Sequence, residues 1–349
     1  MGNLPLIGIM VPNQRQRNNI LNMYQRYKGE LRIELFSFTP KDINWRKRTI
    51  RGVCLKNNTC ETEIFRFPDA VYNRCYRKKK KTIRKLEKYI GKNKCFNAIT
   101  YFNKWRIYKI LSSNNLGKLL PSTSLYHPDL LAEQLTTNKR LILKPSYGSL
   151  GRHIYLIEST KDNIIKVYQD SLTPRYMFDD INLLLETITD LIGKKNYILQ
   201  KEIKLAKVRG KMVDLRILIQ KDRHGRWGFT KGISRVAPYN FFITNVSERI
   251  YEMDETLEML VSDPLKRNAM IQEIQETCIK VSQILEEKIG LLGEIGIDMA
   301  LDENGRIWII EVNGKTQKFI YHMVNGSDCK EIDLIYKRPL EYASYLSQT

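Results

Sequence analysis

The sequence predicts an α/β protein, built from a small N-terminal α/β domain followed by two α+β subdomains. Apolar segments of strand length alternate with amphipathic segments of helical length along most of the 349 residues. A long predicted helix at about 265–289 then leads into a β-hairpin at 293–315. We expect the domain boundaries near residues 100 and 196, which gives domains at 1–100, 101–196 and 197–349.

The N-terminal domain is predicted from three strands and one helix. Leu6–Val11 is typical of a buried first strand rather than a signal peptide, because no basic region precedes it. A helix over Asn18–Tyr27 and strands over Leu31–Phe38 and Thr49–Leu55 follow. This alternation indicates a small α/β domain.

A basic run at Arg77–Lys88 follows these strands. Ile83, Leu86 and Ile90 are spaced as on one face of a helix that ends at Gly91. The run is compatible with a solvated helix face or with a contact for an acidic polymer. It lacks interleaved aromatic residues, so a dedicated nucleic-acid site is the less favoured interpretation.

Composition restricts the partners and the compartment. Lys and Arg number 58 against 38 Asp and Glu, and the net charge of +20 favours anionic partners such as nucleotides or acidic polymers. No apolar run approaches the roughly 18–20 residues that span a bilayer. The six cysteines lack zinc-like spacing, so we expect reduced thiols and a cytoplasmic location.

The middle of the chain predicts a glycine-rich loop between two strands. A strand at Arg140–Leu143 ends in Lys144, and the next strand begins at Ile154. In such a loop, backbone N–H groups can approach phosphate oxygens while the lysine adds a positive charge. The loop is not a Walker A motif, and an ordinary glycine hairpin is the alternative. The candidate phosphate-binding residues are Lys144, Ser146, Gly148, Ser149 and Gly151.

The remaining helices and strands frame this loop. We expect helices over Asn103–Asn115, from Pro128 to Leu135, from Asp180 to Ile192 and at about 265–289. The predicted strands are Pro121–Tyr126, Ile154–Ile157, Tyr197–Ile203, Met212–Gln220 and Trp227–Val236.

Three of these strands carry charges where an apolar residue is expected. Lys201 and Glu202 interrupt Tyr197–Ile203, which indicates either a strand that offers groups to a base and a ribose or a solvated edge strand. Arg216 and Arg235 interrupt the two following strands. A guanidinium in such a place reaches a phosphate or a carboxylate, so an internal pair with Asp214 is the alternative.

The hairpin carries the most informative set of polar residues. Asp302 to Gly305 supply the turn, which brings Asp298 on one strand near Glu311 and Asn313 on the other. Two carboxylates and an amide oxygen, with no Cys or His nearby, suit Mg²⁺ or Mn²⁺. The alternative is a surface hairpin whose acids face water.

Together these motifs resemble the ATP-grasp superfamily in order and spacing. The resemblance rests on Lys104 within NKW, on KPSYGSLGRHIYLI, YILQKEI and VDLRILI, and on GIDMAL followed by IWIIEVN. PDAVYNR and FNKW are similar to the YheC/YheD-type family, described as endospore coat-associated. The chain departs from that pattern at Gly314-Lys315-Thr316, where the family often has Ser-Lys-Pro.

The resemblance implies an ATP-grasp fold with a pre-grasp N-terminal domain, and roles for individual residues. Lys104 and Lys144 would contact ATP phosphates under the 146–151 loop, and Gln200, Lys201, Glu202 and Ile203 would hold adenine and ribose. Asp298, Glu311 and Asn313 would bind Mg²⁺, while Arg216 and Arg235 would steady the γ-phosphate or an acylphosphate as the catalytic residues.

The resemblance also implies an activity. ATP-grasp enzymes join a carboxylate to an amine or thiol through an acylphosphate, and such substrates here could include an acidic polymer or peptide. A non-catalytic, ATP-binding spore-coat or scaffold protein is the second hypothesis. A basic nucleic-acid-binding protein is the third, and it rests on charge alone.

Overall fold

The computed structural model describes residues 4–76, 80–324 and 329–349, with the side chains of Lys80 and Cys329 outside the description. The chain forms three β-sheets with helices packed against them, which confirms the predicted α/β class with α+β subdomains. Part of the predicted basic run, at 77–79, lies outside the described residues.

The first sheet is mixed and has seven strands. Its central strand pairs in parallel with a strand on each side, as expected for a small α/β domain. The predicted strand Leu31–Phe38 begins only at Glu34, because the backbone N–H groups of Leu31 and Ile33 form local turns. The elements are β1 Leu6–Met10, α1 Arg15–Arg26, β2 Glu34–Phe38, β3 Ile43–Asn44, β4 Thr49–Lys56, β5 Thr59–Arg66, β6 Ala70–Asn73, α2 Lys80–Ile90 and β7 Cys95–Phe96.

The second sheet has six antiparallel strands. The predicted helix Asn103–Asn115 ends at Leu111, because a wider turn follows and Asn115 takes a φ of 63°. The elements are α3 Lys104–Leu111, β8 Thr123–Leu125, α4 Pro128–Thr137, β9 Arg140–Pro145, β10 Tyr155–Ser159, β11 Ile165–Gln169, β12 Pro174–Phe178, α5 Ile181–Ile192 and β13 Tyr197–Lys201.

The strand β13 extends the second sheet beyond the predicted boundary at residue 196. It lies between β9 and β8 and pairs with both. The strand is also shorter than predicted, so that Glu202 and Ile203 follow it. The division into three domains is otherwise untested and stays a prediction.

The third sheet has six strands and a long helix on one face. The side chain of Asp263 accepts hydrogen bonds from the first turn of this helix, which starts at Pro264 as predicted. The buried face of the helix, with Cys278 and Leu285, packs against Ile217 and Ile297 of the sheet. The elements are β14 Lys207–Val208, β15 Lys211–Lys221, β16 Trp227–Val236, β17 Arg249–Glu252, α6 Met253–Leu260, α7 Pro264–Ile289, β18 Glu294–Leu301 and β19 Ile307–Asn313.

A C-terminal helix, α8 Cys329–Gln348, joins the first sheet to the third. Its residues Tyr336 and Leu340 share one core with Ile7 of the first sheet and with Leu218 and Ile233 of the third. The sequence analysis did not predict this helix. The helix thus packs against both sheets. The first sheet contacts the third sheet at the end where β18 begins.

Candidate nucleotide and metal site

A cavity between the second and third sheets, which we term the first cavity, collects most of the predicted site residues. The second sheet contributes the ends of β9 and β13, and the third sheet contributes β15, β16 and the β18–β19 hairpin. The predicted residues that line it are Lys144, Gln200, Lys201, Glu202, Ile203, Arg235, Asp298 and Glu311.

The hairpin brings its two carboxylates face to face. The Oδ1 atom of Asp302 accepts hydrogen bonds from the N–H groups of Asn304, at 2.9 Å, and Arg306, at 3.0 Å, and this fixes the turn. The turn leads to a register that pairs Met299 with Ile309, and a β-bulge between Asp298 and Met299 then shifts the pairing by one residue. Asp298 therefore pairs with Glu311 rather than with Ile310, so the bulge decides which acids meet.

Asp298 is buried, and two guanidinium groups contact it. The Nη2 atom of Arg216 donates to Oδ2 of Asp298 at 2.9 Å, and Nη2 of Arg235 lies 3.2 Å from the same oxygen. Arg235 also pairs with Asp214, whose Oδ2 accepts a hydrogen bond from Thr244 at 2.6 Å. Burial opposes the charged guanidinium, but Asp214 and Asp298 outweigh it and raise the pKa of Arg235 above its usual value. The internal Asp–Arg pair that the sequence left open is thus present.

Glu311 meets two lysines where the hairpin approaches the glycine-rich loop. Its Oε1 atom lies 3.1 Å from Nζ of Lys104, which also donates to the carbonyl oxygen of Gly148 at 3.3 Å. Lys144 is buried beside them. Burial lowers the pKa of Lys144 to about 8; the charge of Glu311 opposes this shift and that of Lys104 adds to it. Lys104, Lys144 and Glu311 thus lie together.

The chemistry of the donor set fits a hard divalent cation. Carboxylate and amide oxygens are the ligands that Mg²⁺ and Mn²⁺ prefer. The amide nitrogen of Asn313 lies 3.4 Å from Oδ2 of Asp298, so a rotated Asn313 amide would present its oxygen to the same place. Among the described residues, no three His, Cys, Asp or Glu side chains form a metal cluster. The set therefore depends on the Asn313 amide.

Ser146 holds the start of the glycine-rich loop in place through its backbone. The N–H group of Ser146 donates to the carbonyl of Asn196 at 2.8 Å, and its carbonyl accepts from the N–H of Lys104 at 2.8 Å. Its side chain is 1% exposed. The backbone of Ser146 is therefore engaged, its buried hydroxyl has no hydrogen-bond partner among the described residues, and its contact with a phosphate stays a prediction. Gly151 adopts a φ of +68° beside Asn245, where a side chain would clash.

The predicted base-binding strand reaches the first cavity, and two of its side chains have partners. The amide nitrogen of Gln200 donates to Oγ1 of Thr123 at 2.8 Å. Glu202 lies 3.1 Å from the guanidinium of Arg140. Burial raises the pKa of Glu202, while the charge of Arg140 acts in the opposite sense. Contact of these residues with a nucleotide stays a prediction.

A second cavity adjoins the first, and the sequence analysis missed most of its residues. Glu311 and Asn245 line both cavities. Gly148 and Ser149 of the loop line only the second. The missed residues lie in irregular segments, where no periodic pattern marks a residue as facing a site. They include Tyr76, Thr100, Tyr101, Phe102, Asn245, Lys315 and Gln317.

Two curated proteins from Bacillus subtilis (strain 168) are similar to this chain. Endospore coat-associated protein YheD is 29% identical over 325 residues, which cover 90% of this chain and 70% of YheD. Endospore coat-associated protein YheC is 23% identical over 331 residues, which cover 91% of this chain and 89% of YheC. Among the residues that the structure describes, no helix is long and apolar enough to cross a membrane.

Solved structures share the fold at low sequence identity. The ATP-grasp ligase PsnB, solved with a minimal precursor, has a TM-score of 0.56 and 14% identity, and the match covers 99% of each chain. The same ligase solved with precursor, Mg and ADP has a TM-score of 0.55 and 12% identity over 97% of this chain and 98% of that chain. A model of the YheC/D-like ATP-grasp family matches residues 92–346, and the chain belongs to this family.

Proposed function

We propose that the protein is an ATP-dependent ligase that joins a carboxylate to an amine or thiol through an acylphosphate. The observation that carries this proposal is the meeting of Glu311 with Lys104, at 3.1 Å, where the first and second cavities adjoin. A lysine at such a junction suits the terminal phosphate of a nucleotide, and the carboxylate would hold the cation that accompanies it, with an acceptor on the other side.

The residues in and around the two cavities then have roles. Lys104 and Lys144 contact the phosphates, and the loop with Gly148 and Ser149 covers them. Gln200 to Ile203 hold adenine and ribose. Asp298, Glu311 and Asn313 hold Mg²⁺ or Mn²⁺, which when bound offsets charge on the triphosphate. Asp298 already faces two guanidiniums, so Glu311 is the more available of the two carboxylates.

The reaction consists of two displacements. A substrate carboxylate oxygen forms a bond to the γ-phosphorus, and the bond from that phosphorus to the bridging oxygen breaks as ADP leaves. The amine or thiol then attacks the acyl carbon, loses a proton and displaces inorganic phosphate. Arg216 and Arg235 steady the charge on the transferred phosphoryl group. No protein nucleophile is needed.

A non-catalytic ATP-binding coat protein is the second candidate. It is favoured by the two relatives, both described as endospore coat-associated proteins. The five described cysteines are free, which supports a reducing, cytoplasm-like compartment for either candidate, with later association with the spore coat.

Thermal unfolding and ADP release test the proposal together. Mg²⁺-ATP at millimolar concentration should raise the melting temperature, because a ligand that binds only the folded state stabilises it. Pools of amino acids, peptides and acidic polymers should then stimulate ADP release. An unchanged melting temperature contradicts nucleotide binding. A raised melting temperature without ADP release from any pool favours the coat-protein candidate.

A further inference from the structure

The second cavity contains a lysine, Lys315, whose charge is not balanced by any carboxylate among the described residues. Lys315 is half-buried, with Nζ 5.6 Å from the centre of the Tyr76 ring. It forms no ion pair with an acidic side chain in the described part of the chain. Burial lowers its pKa, and the charge of Arg74 lowers it further. The other charged residues of this cavity are committed, since Glu311 pairs with Lys104 and Arg216 with Asp298.

A row of tyrosines leads from Lys315 to the glycine-rich loop. The ring centres of Tyr76 and Tyr101 are 4.8 Å apart, and those of Tyr101 and Tyr147 are 5.1 Å apart. Tyr147 belongs to the loop and is 39% exposed. Aromatic rings in a row offer flat apolar contact to an extended ligand at low cost in side-chain entropy.

The basic face of α2 begins a short distance along the chain from this cavity. Its exposed residues Lys81, Arg84, Lys85 and Lys88 follow an i, i+3, i+4, i+7 spacing, opposite the buried Ile83 and Leu86. Lys81 follows Tyr76 by five positions, so their Cα atoms lie no more than about 18 Å apart. One ligand of several residues can therefore contact both places.

We propose that the second cavity binds a side-chain carboxylate of an acidic peptide chain, with further carboxylates of that chain on the basic face of α2. The proposal rests on the proposed ligase function and names its substrate class. Lys315 holds the carboxylate, the tyrosine row contacts the peptide, and the four α2 cations bind its acidic neighbours. A small free acid would not use the tyrosine row or the helix.

Fluorescence anisotropy tests this with two labelled probes, hexaglutamate and a several-fold longer polyglutamate. Lys315→Met should weaken binding of both by about tenfold, the value of one charged hydrogen bond, and Lys315→Arg should restore it. Replacing the four α2 cations with Gln should weaken only the longer probe, and that part of the binding should fall as salt increases. The matched control replaces four other exposed cations, Lys161, Lys194, Lys195 and Arg223, with Gln.

The outcomes separate this proposal from the proposed function. Wild-type affinity of Lys315→Met for hexaglutamate overturns the cavity assignment. If the α2 variant and the control variant lose equal affinity for the longer probe, the probe is attracted to the positive charge of the whole protein. That result overturns the helix assignment. Competition by free glutamate as effective as that by the peptide indicates a small acid. Competition by single-stranded DNA as effective as that by polyglutamate also overturns the proposal. The Mg²⁺-ATP shift in melting temperature, measured on every variant, reports on the nucleotide site alone.

Discussion

Two buried carboxylates on one strand differ in how their neighbours enclose them. Glu294 and Asp298 lie four residues apart on β18, so they project from the same face, and each is 3% exposed. Glu294 accepts hydrogen bonds from the Tyr72 hydroxyl at 2.5 Å and from the Gln220 amide at 2.9 Å, and it lies 2.7 Å from Nζ of Lys318. Asp298 instead meets arginines of its own sheet and lines the first cavity.

The difference lies in whether the protein encloses every side of the carboxylate. The partners of Glu294 come from the first sheet, the third sheet and the segment after β19, so they join separate parts of the chain. Burial opposes its negative charge, but Lys318 and Arg74 outweigh burial and lower the pKa of Glu294. Asp298 and the facing Glu311 keep one side toward a cavity. Burial therefore does not distinguish these two acids. They differ in whether one side of the carboxylate faces a cavity.

The largest expected effect is on stability. Glu294→Leu leaves Lys318 and Arg74 buried without their acid, so we expect a loss of about 3–5 kcal/mol in the free energy of unfolding. Urea denaturation measures it. Because folding lowers the pKa of Glu294, its contribution is present above about pH 4.5 and is lost as the pH falls through the folded-state pKa. The difference between variant and wild type should therefore narrow in acid. Glu311→Leu is the control, because Lys104 keeps its contact with the Gly148 carbonyl, and an equal loss there would contradict the comparison.

The next effect is on catalysis. Glu311→Gln keeps the shape of the side chain but removes its charge, and we expect substrate-dependent ADP formation to fall by about 100- to 1,000-fold. Circular dichroism should show a folded protein, since Glu311 has an open side and Lys104 keeps its contact with Gly148. A folded variant with wild-type turnover would show that the metal assignment is wrong.

A third effect is a pH dependence of nucleotide binding. Lys144, with a pKa of about 8, is charged below that pH and neutral above it. Between pH 7 and 9 the charged fraction falls roughly tenfold, so the affinity for Mg²⁺-ATP should fall by up to that factor. Calorimetric titration of wild type and Lys144→Arg checks this, because arginine stays charged over that range. Parallel pH profiles for the two proteins would remove Lys144 from the phosphate contact.

The smallest effect belongs to an exposed pair. Lys56 and Glu63 form an ion pair between β4 and β5, with side chains 55% and 34% exposed. Solvent screens such a pair, so Lys56→Gln should shift the melting temperature by no more than about 1 °C. If the melting temperature shifted as much as in the Glu294 variant, enclosure would not explain why Glu294 contributes more to stability than the exposed Glu63.

The candidate site was predictable from sequence where short-range rules determine geometry. The turn from Asp302 to Gly305 was predicted, and it brings the strand of Asp298 beside the strand of Glu311. The exact pairing of the two acids depends on a β-bulge between Asp298 and Met299, which was not predicted from the sequence. The position of Lys144 at a strand end followed from the apolar run before it. The α+β class followed in the same way from periodicity.

The rest depends on contacts between distant parts of the chain. The Tyr72 hydroxyl that reaches Glu294 is 222 residues away in sequence, and no local pattern connects them. The burial of Ser146 follows from the neighbouring Asn196 and Lys104 rather than from the loop itself. The helix α8 did carry a periodic signal in Ile332, Ile335 and Tyr336, which the sequence analysis did not use.

The C-terminal helix has a consequence for biosynthesis. Tyr342 packs against Phe96 of the first sheet with ring centres 5.0 Å apart, and Nζ of Lys94 donates to the carbonyl of Leu346 at 2.6 Å. A ribosome makes the first sheet before the second and third sheets, and it makes α8 after all three. The face of the first sheet that α8 covers therefore stays without that cover until the other two sheets have been made.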